Sequence, residues 1–184
     1  PDIMIGDEFN MELDKTYELL SKALGEIIPL FYTSKLWHMA NDEISQPNTE
    51  ISKSLSFANN MATKYKVQPI IWDDPISQNN IDVSHDFIIQ SWHNVVNDLT
   101  YKKYRTIISE VDYWYIGGSN HVIDYDVSQL RQTNYIYGAE LVWLTNASID
   151  TSDDISWIYP DIQNAALKMN EIENMLNNIN LRSN

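Results

Sequence analysis

The amino-acid sequence predicts a mainly α-helical protein, a bundle of about five helices joined by long irregular connections. Three segments carry this prediction, near residues 13–27, 51–65 and 162–179. In each of them apolar residues recur at steps of three and four, the spacing that places side chains on one face of a helix. We therefore expect helices that each bury one face, in a single domain that covers residues 1–184.

Composition limits the partners of such a domain. The chain has a formal net charge of -14 and no cysteine. A surface this acidic repels phosphate, and the densest basic run, Lys102, Lys103 and Arg105, is short. We therefore expect no specific nucleic-acid binding and no docking on anionic membranes. The absence of cysteine removes disulfides and thiolate chemistry.

The first two predicted helices lie in the N-terminal third of the chain. The first ends at Pro29, and its apolar stripe consists of Leu13, Tyr17, Leu20, Leu24 and Ile27. A second helix begins at Asn48 or Thr49, either of which can cap it. The stretch VQPIIWDDPISQNN predicts a long connection because it contains two prolines and two adjacent asparagines.

The longest predicted helix begins at Ser84, which is a good N-cap. A second apolar stripe follows the first slightly out of phase, so we expect a bend or a break near Thr100. The two stripes consist of Ile88, Trp92, Val95 and Leu99, and of Tyr101, Tyr104, Ile108, Val111 and Tyr115. Gly117 and Gly118 mark the end of this helix.

Residues 126–145 are ambiguous, and Pro160 starts the last helix. Helical spacing slightly favours a helix over 126–145, but NYIYGAELVWLT is rich in aromatic and β-branched residues. A small β element near residues 133–145 is therefore the alternative. Pro160 suits a first helical position, and the C-terminal helix over residues 160–181 can extend from the domain.

The polar residues form no recognised catalytic motif. His38 and Asp42 have a spacing that suits a metal ion on a helix, but no third ligand accompanies them. Asp73 and Asp74, like the other acidic pairs, are better explained as caps or solvated loops in a chain with 26 acidic residues. We therefore predict no catalytic, cofactor-binding or metal-binding residues and no cofactor. A hydrolase that uses an Asp/Glu pair stays open, without a pair to nominate.

Consecutive aromatic residues indicate an interface. Tyr113, Trp114 and Tyr115 point to three sides of a helix and cannot all face one core, and such residues are enriched at interface hot spots. The same aromatic residues suit a platform for a saccharide. The apolar stripe of the C-terminal helix is the second candidate interface, through Ile162, Met169, Ile172 and Leu176. That stripe is short for a coiled coil, so by itself it favours packing within the chain.

A resemblance adds a function to this architecture. The stretch LDKTYELLSKALGEI resembles the opening helix of short-tailed phage head-to-tail adaptor proteins, and TEISKSLSFANNMATKYKVQPIIWDD is similar to their next segments. The ending EIENMLNN resembles helices of phage baseplate and fibre proteins. The resemblance implies a structural component of a tailed-phage virion, and it carries over no catalytic residue.

The prediction from sequence is therefore a virion assembly protein without enzymatic activity. We expect its partners to be other virion proteins or copies of itself in a homo-oligomer, and its location to be the virion or otherwise the cytoplasm. A module that binds a saccharide or a peptide is the first alternative. The hydrolase with an Asp/Glu pair is the second.

Overall fold

The computed structural model describes residues 2–116, 120–142 and 158–182, and it divides the chain into two compact units. The first unit contains residues 1–89 and the second contains residues 90–184. The prediction of a single domain over residues 1–184 stays a prediction. Among the described residues, no helix combines the length and the apolar character that crossing a membrane requires.

Short strands alternate with helices in both units. The first unit contains β1 (Met4–Ile5), β2 (Glu8–Phe9), α1 (Asp14–Ile27), β3 (Leu36–His38), α2 (Asn48–Tyr65), β4 (Gln68–Trp72) and α3 (Asp74–Ser77). Strand β5 (Ile88–Ser91) crosses the division. The second unit continues with α4 (Val96–Tyr101), β6 (Arg105–Ile108), α5 (Val111–Trp114), β7 (Ile136–Ala139) and α6 (Tyr159–Arg182). Short 3-10 helices occupy Ile28–Phe31, Val122–Asp124, Val127–Gln129 and Thr133–Tyr135.

Strands β1 and β2 pair antiparallel in a hairpin, and strands β3 to β7 form a parallel sheet, so the chain has an α/β fold. Strands β3 to β7 are hydrogen-bonded in chain order, and β3 pairs with β4, and β6 with β7, in parallel. Parallel neighbours need a crossover, and α2 supplies it between β3 and β4. The prediction of a mainly α-helical bundle is therefore wrong.

In the first unit, both predicted helices are present and the predicted connection is not. Helix α2 begins at Asn48 and buries Ile51, Leu55, Ala58 and Met61. The stretch predicted as a long irregular connection contains β4, which buries Ile70 and Ile71. Pro69 is the second residue of this strand and donates no ladder hydrogen bond. The Pro and Asn residues that predicted a loop lie within and after a buried strand.

The long helix predicted from Ser84 to Tyr115 is wrong. That stretch contains β5, α4, β6 and α5. All four residues of β5 are buried, so both of its faces are covered and it shows no alternation of apolar and polar residues. A buried run of this kind cannot be told from a helix by periodicity alone.

The C-terminal part of the second unit contains a strand and a long helix. The small β element is confirmed as β7, and the favoured helix over residues 126–145 is wrong where the structure describes it. Helix α6 is confirmed, and it buries Ala165 and Ile172 in a core shared with Ile108 and Ile136. The predicted end at Gly117 and Gly118 and the end of the ambiguous segment, residues 143–145, lie outside the described residues.

Candidate active site

The carboxyl ends of β3 and β4 lie side by side in the first unit. His38 aligns with Ile70, the backbone N–H of Met39 donates to the carbonyl of Ile70 at 2.7 Å, and that of Trp72 donates to the carbonyl of Ala40 at 3.1 Å. The ladder therefore continues beyond β3 and ends where polar residues begin on both strands. In α/β folds this edge of a parallel sheet is the usual place for a binding or catalytic site.

The loop after β3 has an unusual backbone. Ala40, Asn41 and Glu43 all lie in the left-handed region, with φ of 55°, 72° and 48°. This conformation costs a non-glycine residue about 1–2 kcal/mol, least for asparagine. Residues of this kind persist only where the surrounding structure holds them, and they cluster at functional sites. The loop of residues 39–44 is therefore a candidate location for chemistry in this unit.

Side chains of the loop hold this backbone in place. The Nδ1 atom of His38 accepts the N–H of Ala40 at 3.0 Å, so it is not available for a metal ion. Asn41 is buried, and its Oδ1 accepts the hydroxyl of Ser54, on α2, at 2.7 Å. Its Nδ2 donates to the carbonyl of Met39 at 2.8 Å. The loop is thereby fixed both to itself and to the helix that follows.

Two consecutive carboxylates are exposed on this loop, and two more are buried beside it. Asp42 and Glu43 are exposed, whereas Asp73 and Asp74, at the end of β4, are 0% and 4% exposed. The N–H of Glu43 donates to Oδ1 of Asp74 at 3.0 Å. A buried carboxylate needs hydrogen-bond donors, and here one of them is the backbone that carries the exposed pair.

A cleft of about 450 Å³ opens beside the loop. Part of its lining is apolar, with Leu20 and Leu24 from α1 and Phe57 from α2. Asn41 and Asp42 form part of its polar edge. A concave apolar surface with a few placed polar groups is the usual form of a small-molecule site.

The second unit carries polar residues at the carboxyl ends of its own strands. The buried Nε2 of Gln90, in β5, donates to Oγ of Ser109 at 3.2 Å and to Oε2 of Glu140 at 2.8 Å. Glu110, two residues after the end of β6, accepts the N–H of Val96 at 3.3 Å. These contacts fix several polar side chains at the strand ends of this unit.

The aromatic run predicted as an interface lies mainly inside the second unit. Trp114 is 0% exposed and contacts the ring of Tyr125 at 5.5 Å between centroids. Tyr113 and Tyr115 are half-buried, and Tyr115 forms a parallel bridge with Val142. Burial, together with the nearby Glu110 carboxylate, raises the pKa of Tyr125 well above its usual range. A role of the run in assembly stays a prediction, although Trp114 itself is enclosed by its own chain.

The predicted interface on α6 is divided between core and surface. Ile172 is buried, Met169 and Leu176 pack partly buried against the same core, and Ile162 is 44% exposed. A partner contact through these residues stays a prediction. Most of the stripe is already in contact with its own unit.

Sequence reasoning missed the pair Asp42 and Glu43 as a site. From the sequence, Asp42 is a candidate only for a metal ligand, and Asp73 and Asp74 are explained as caps or loops. The pair follows LWHM after two intervening residues, and this short run proves to contain β3. Recognition of that run as a strand was the available signal, because polar residues that follow a parallel strand lie at the functional edge of a sheet.

A family model and several solved structures agree on what this chain is similar to. The model of the glycosyl hydrolase family 20 catalytic domain matches residues 51–155, which is more than half of the chain. The match begins beyond Glu43, so it does not include the exposed carboxylate pair.

The similar structures are bacterial enzymes of the same family. The β-N-acetylhexosaminidase of Streptomyces coelicolor has a TM-score of 0.68 and 17% identity over 90% of this chain and 40% of its own. The exo-β-N-acetylglucosaminidase of Vibrio harveyi has a TM-score of 0.69 and 15% identity over 86% of this chain and 31% of its own. The chitobiase of Flavobacterium johnsoniae has a TM-score of 0.66 and 17% identity, with 97% of this chain and 34% of its own covered. The chain therefore spans less than half the length of these enzymes.

These findings correct the functional prediction. The resemblance to phage virion proteins is wrong because the matching segments of the chain are α/β elements of a glycosidase fold. The predictions of a non-enzymatic structural protein and of a virion location are wrong for the same reason, since the family consists of glycosidases. The second alternative, a hydrolase with an Asp/Glu pair, fits better than the main prediction. The chain belongs to glycosyl hydrolase family 20.

Proposed function

We propose that this chain carries carboxyl groups that hydrolyse β-linked N-acetylhexosaminides, with Asp42 and Glu43 as the reacting pair. One observation carries the proposal: two consecutive exposed carboxylates at the carboxyl end of β3, on a loop whose left-handed residues are fixed by hydrogen bonds. A solvated loop without a function gains nothing from a left-handed backbone conformation that costs free energy.

The chemistry of the substrate explains why two carboxyl groups are required. Most glycosidases use one carboxyl group as an acid and another as a base or nucleophile, whereas family 20 enzymes are assisted by their substrate. In such a reaction the carbonyl oxygen of the 2-acetamido group attacks the anomeric carbon. One protein carboxyl group then gives its proton to the departing glycosidic oxygen. A second, ionised carboxylate accepts the acetamido N–H and stabilises the positive charge that develops.

We assign the proton donor to Glu43 and the acetamido contact to Asp42. The backbone N–H of Glu43 is tied to Asp74, which fixes the base of the longer side chain. Asp42 lines the cleft whose lining is partly apolar, the kind of surface that accepts an acetamido methyl group.

What the similar enzymes bind agrees with this proposal. The Vibrio harveyi enzyme was solved in complex with N-acetylglucosamine, and a variant of it with one aspartate changed to alanine is described as inactive. The chain spans at most 40% of the three enzymes compared above, so turnover by this chain is itself part of what must be tested.

The test measures hydrolysis of aryl N-acetyl-β-D-glucosaminides by the chain and by two variants. We expect Glu43→Gln to lower kcat about 10²–10⁴-fold with a 4-methylumbelliferyl leaving group, and much less with 2,4-dinitrophenol, which departs without protonation. We expect Asp42→Asn to lower kcat about 10²–10³-fold with both substrates. Glu18→Gln, an exposed carboxylate on α1, is the matched control and should leave kcat unchanged.

Binding provides a second measurement that does not depend on turnover. N-acetylglucosamine should shift the backbone amide signals of Asp42 and Glu43 in an NMR titration. Turnover unaffected by both substitutions would contradict the assignment. A chain that neither hydrolyses the substrates nor shows these shifts would contradict the proposed function.

A further inference from the structure

We propose that Glu8, in the β1–β2 hairpin, is a positioning residue that holds the loop bearing Asp42 and Glu43. Its carboxylate accepts hydrogen bonds from Ser45 and Gln46, and we call this contact the latch. This inference rests on the proposed function for the identity of the reacting pair. The latch itself rests on hydrogen bonds within the first unit, and it joins residues that are 37 and 38 positions apart in sequence.

The latch closes on the residues that follow the carboxylate pair. The N–H of Ser45 donates to the Glu8 carboxylate, at 3.0 Å to Oε1 and 3.1 Å to Oε2. Nε2 of Gln46 donates to Oε2 at 3.1 Å. Ser45 is two positions after Glu43, so a change in its place is transmitted to the pair through only one intervening residue.

Gln46 joins the same loop to the chain that enters α1. Its Nε2 also donates to the carbonyl of Phe9 at 2.7 Å, and its Oε1 accepts the N–H of Met11 at 2.8 Å. The next residues are fixed in turn, because the hydroxyl of Thr16 donates to the carbonyl of Asn10 at 2.6 Å. The hairpin that carries Glu8 is therefore attached to the first turn of α1.

A second anchor holds the other side of the loop. Asp74 accepts the N–H of Glu43, so backbone N–H groups at residues 43 and 45 are bound by carboxylates from two different elements. Glu43 has a positive φ and does not keep this conformation by its own preference. The two anchors restrict both sides of the reacting pair, which a site needs for precise placement.

The protonation behaviour of Glu8 agrees with a formed latch. The hydrogen bond from Gln46, followed by those from Ser45, holds the pKa of Glu8 below its ordinary value. Donors that lower a carboxyl pKa are donors that prefer its ionised form.

The test compares Glu8→Ala with the control Glu18→Ala in three measurements. We expect Glu8→Ala to lower kcat on the aryl substrate at least tenfold with KM within about twofold, because Leu20, Leu24 and Phe57 still line the cleft while the reacting pair is misplaced. We expect hydrogen exchange at the Ser45 amide to become at least tenfold faster. The carboxyl ¹³C signals of Asp42 and Glu43 should shift, and Glu18→Ala should change none of the three.

Each outcome decides the inference. Faster exchange at Ser45 with unchanged kcat and unchanged carboxyl signals would overturn it, because the latch would then not position the pair. Unchanged exchange would also overturn it. If the parent chain neither hydrolyses the substrates nor shows the shifts with N-acetylglucosamine, the proposed function fails, and the exchange rate and the carboxyl signals alone decide whether Glu8 holds the pair. A Glu8→Gln variant, which keeps one acceptor for Ser45, should recover part of the protection and guards against simple misfolding.

Discussion

Replacing Trp114 tests whether the second unit is built around this side chain. Trp114 is 0% exposed and lies in a core with Val96, Ile108 and Tyr125. Removing a buried Trp side chain in favour of Ala costs about 3–5 kcal/mol. The indole N–H has no hydrogen-bond partner among the described residues, so no hydrogen bond is lost and the cost comes from burial and cavity alone.

The assay is urea unfolding followed by far-ultraviolet circular dichroism. With a slope of about 2 kcal/mol per molar urea, a loss of ~4 kcal/mol lowers the midpoint by about 2 M. Trp114→Phe is the matched control. It leaves a cavity worth roughly 1 kcal/mol, but it removes a buried unpaired N–H that costs about 1–3 kcal/mol. The midpoint of the Phe variant should therefore stay within about 0.5 M of the parent.

A small effect of the Ala substitution would refute this reasoning. If Trp114→Ala changed the midpoint by less than about 0.5 M while dissociating an oligomer, the side chain would be an interface residue, as the sequence suggested. Light scattering on the same samples separates the two cases, because it measures whether an oligomer dissociates. Loss of the core, in contrast, lowers stability at every protein concentration.

Two further predictions concern the loop and its latch. At Ala40, with φ of 55°, Gly should leave stability unchanged or raise it by up to about 1 kcal/mol, whereas Val should cost about 2 kcal/mol, as measured by the same urea titration. For Glu8, the lowered pKa means that its contribution is present above the ordinary value of 4.5 and is lost as pH falls through the lower folded-state value. The fall in stability between pH 5 and about 3 should therefore be smaller in Glu8→Gln than in the parent, and an equal fall would contradict the latch.

The helices that sequence reasoning found are those whose apolar residues recur at steps of three and four. In α2 the buried residues Ile51, Leu55 and Ala58 recur at steps of four and three, and the exposed face is polar. Such a helix shows its period in the sequence. Helices α1 and α6 were found in the same way.

Strand β5 was missed because both of its faces are covered. Strand β5 buries Ile88, Ile89, Gln90 and Ser91 alike, so no alternation marks it as a strand. Trp92 and Val95 lie three positions apart, and this spacing then suggested one face of a helix. The helix in this region, α4, in fact begins only at Val96. Short parallel strands followed by short helices produce apolar spacing that mimics one long helix.

The site was hidden for a different reason. Asp42 and Glu43 are ordinary in a chain with 26 acidic residues, and nothing local separates them from a solvated loop. Their significance comes from Asp74 and Glu8, which are 31 or more positions away in sequence and approach only in the fold. The left-handed backbone of the loop is equally invisible, since Ala and Glu do not prefer that conformation.

The way in which the loop is anchored bears on the chemistry proposed for it. Glu8 and Asp74 hold the loop by accepting backbone N–H groups. Amide donors carry no net charge, so these contacts fix the position of Asp42 and Glu43 without neutralising the negative charge around them. Glycoside cleavage develops positive charge on the sugar in an oxocarbenium-like transition state. A loop that is held by amides therefore keeps a negative electrostatic field fixed toward the reacting sugar, whereas anchors made of Lys or Arg would have weakened it.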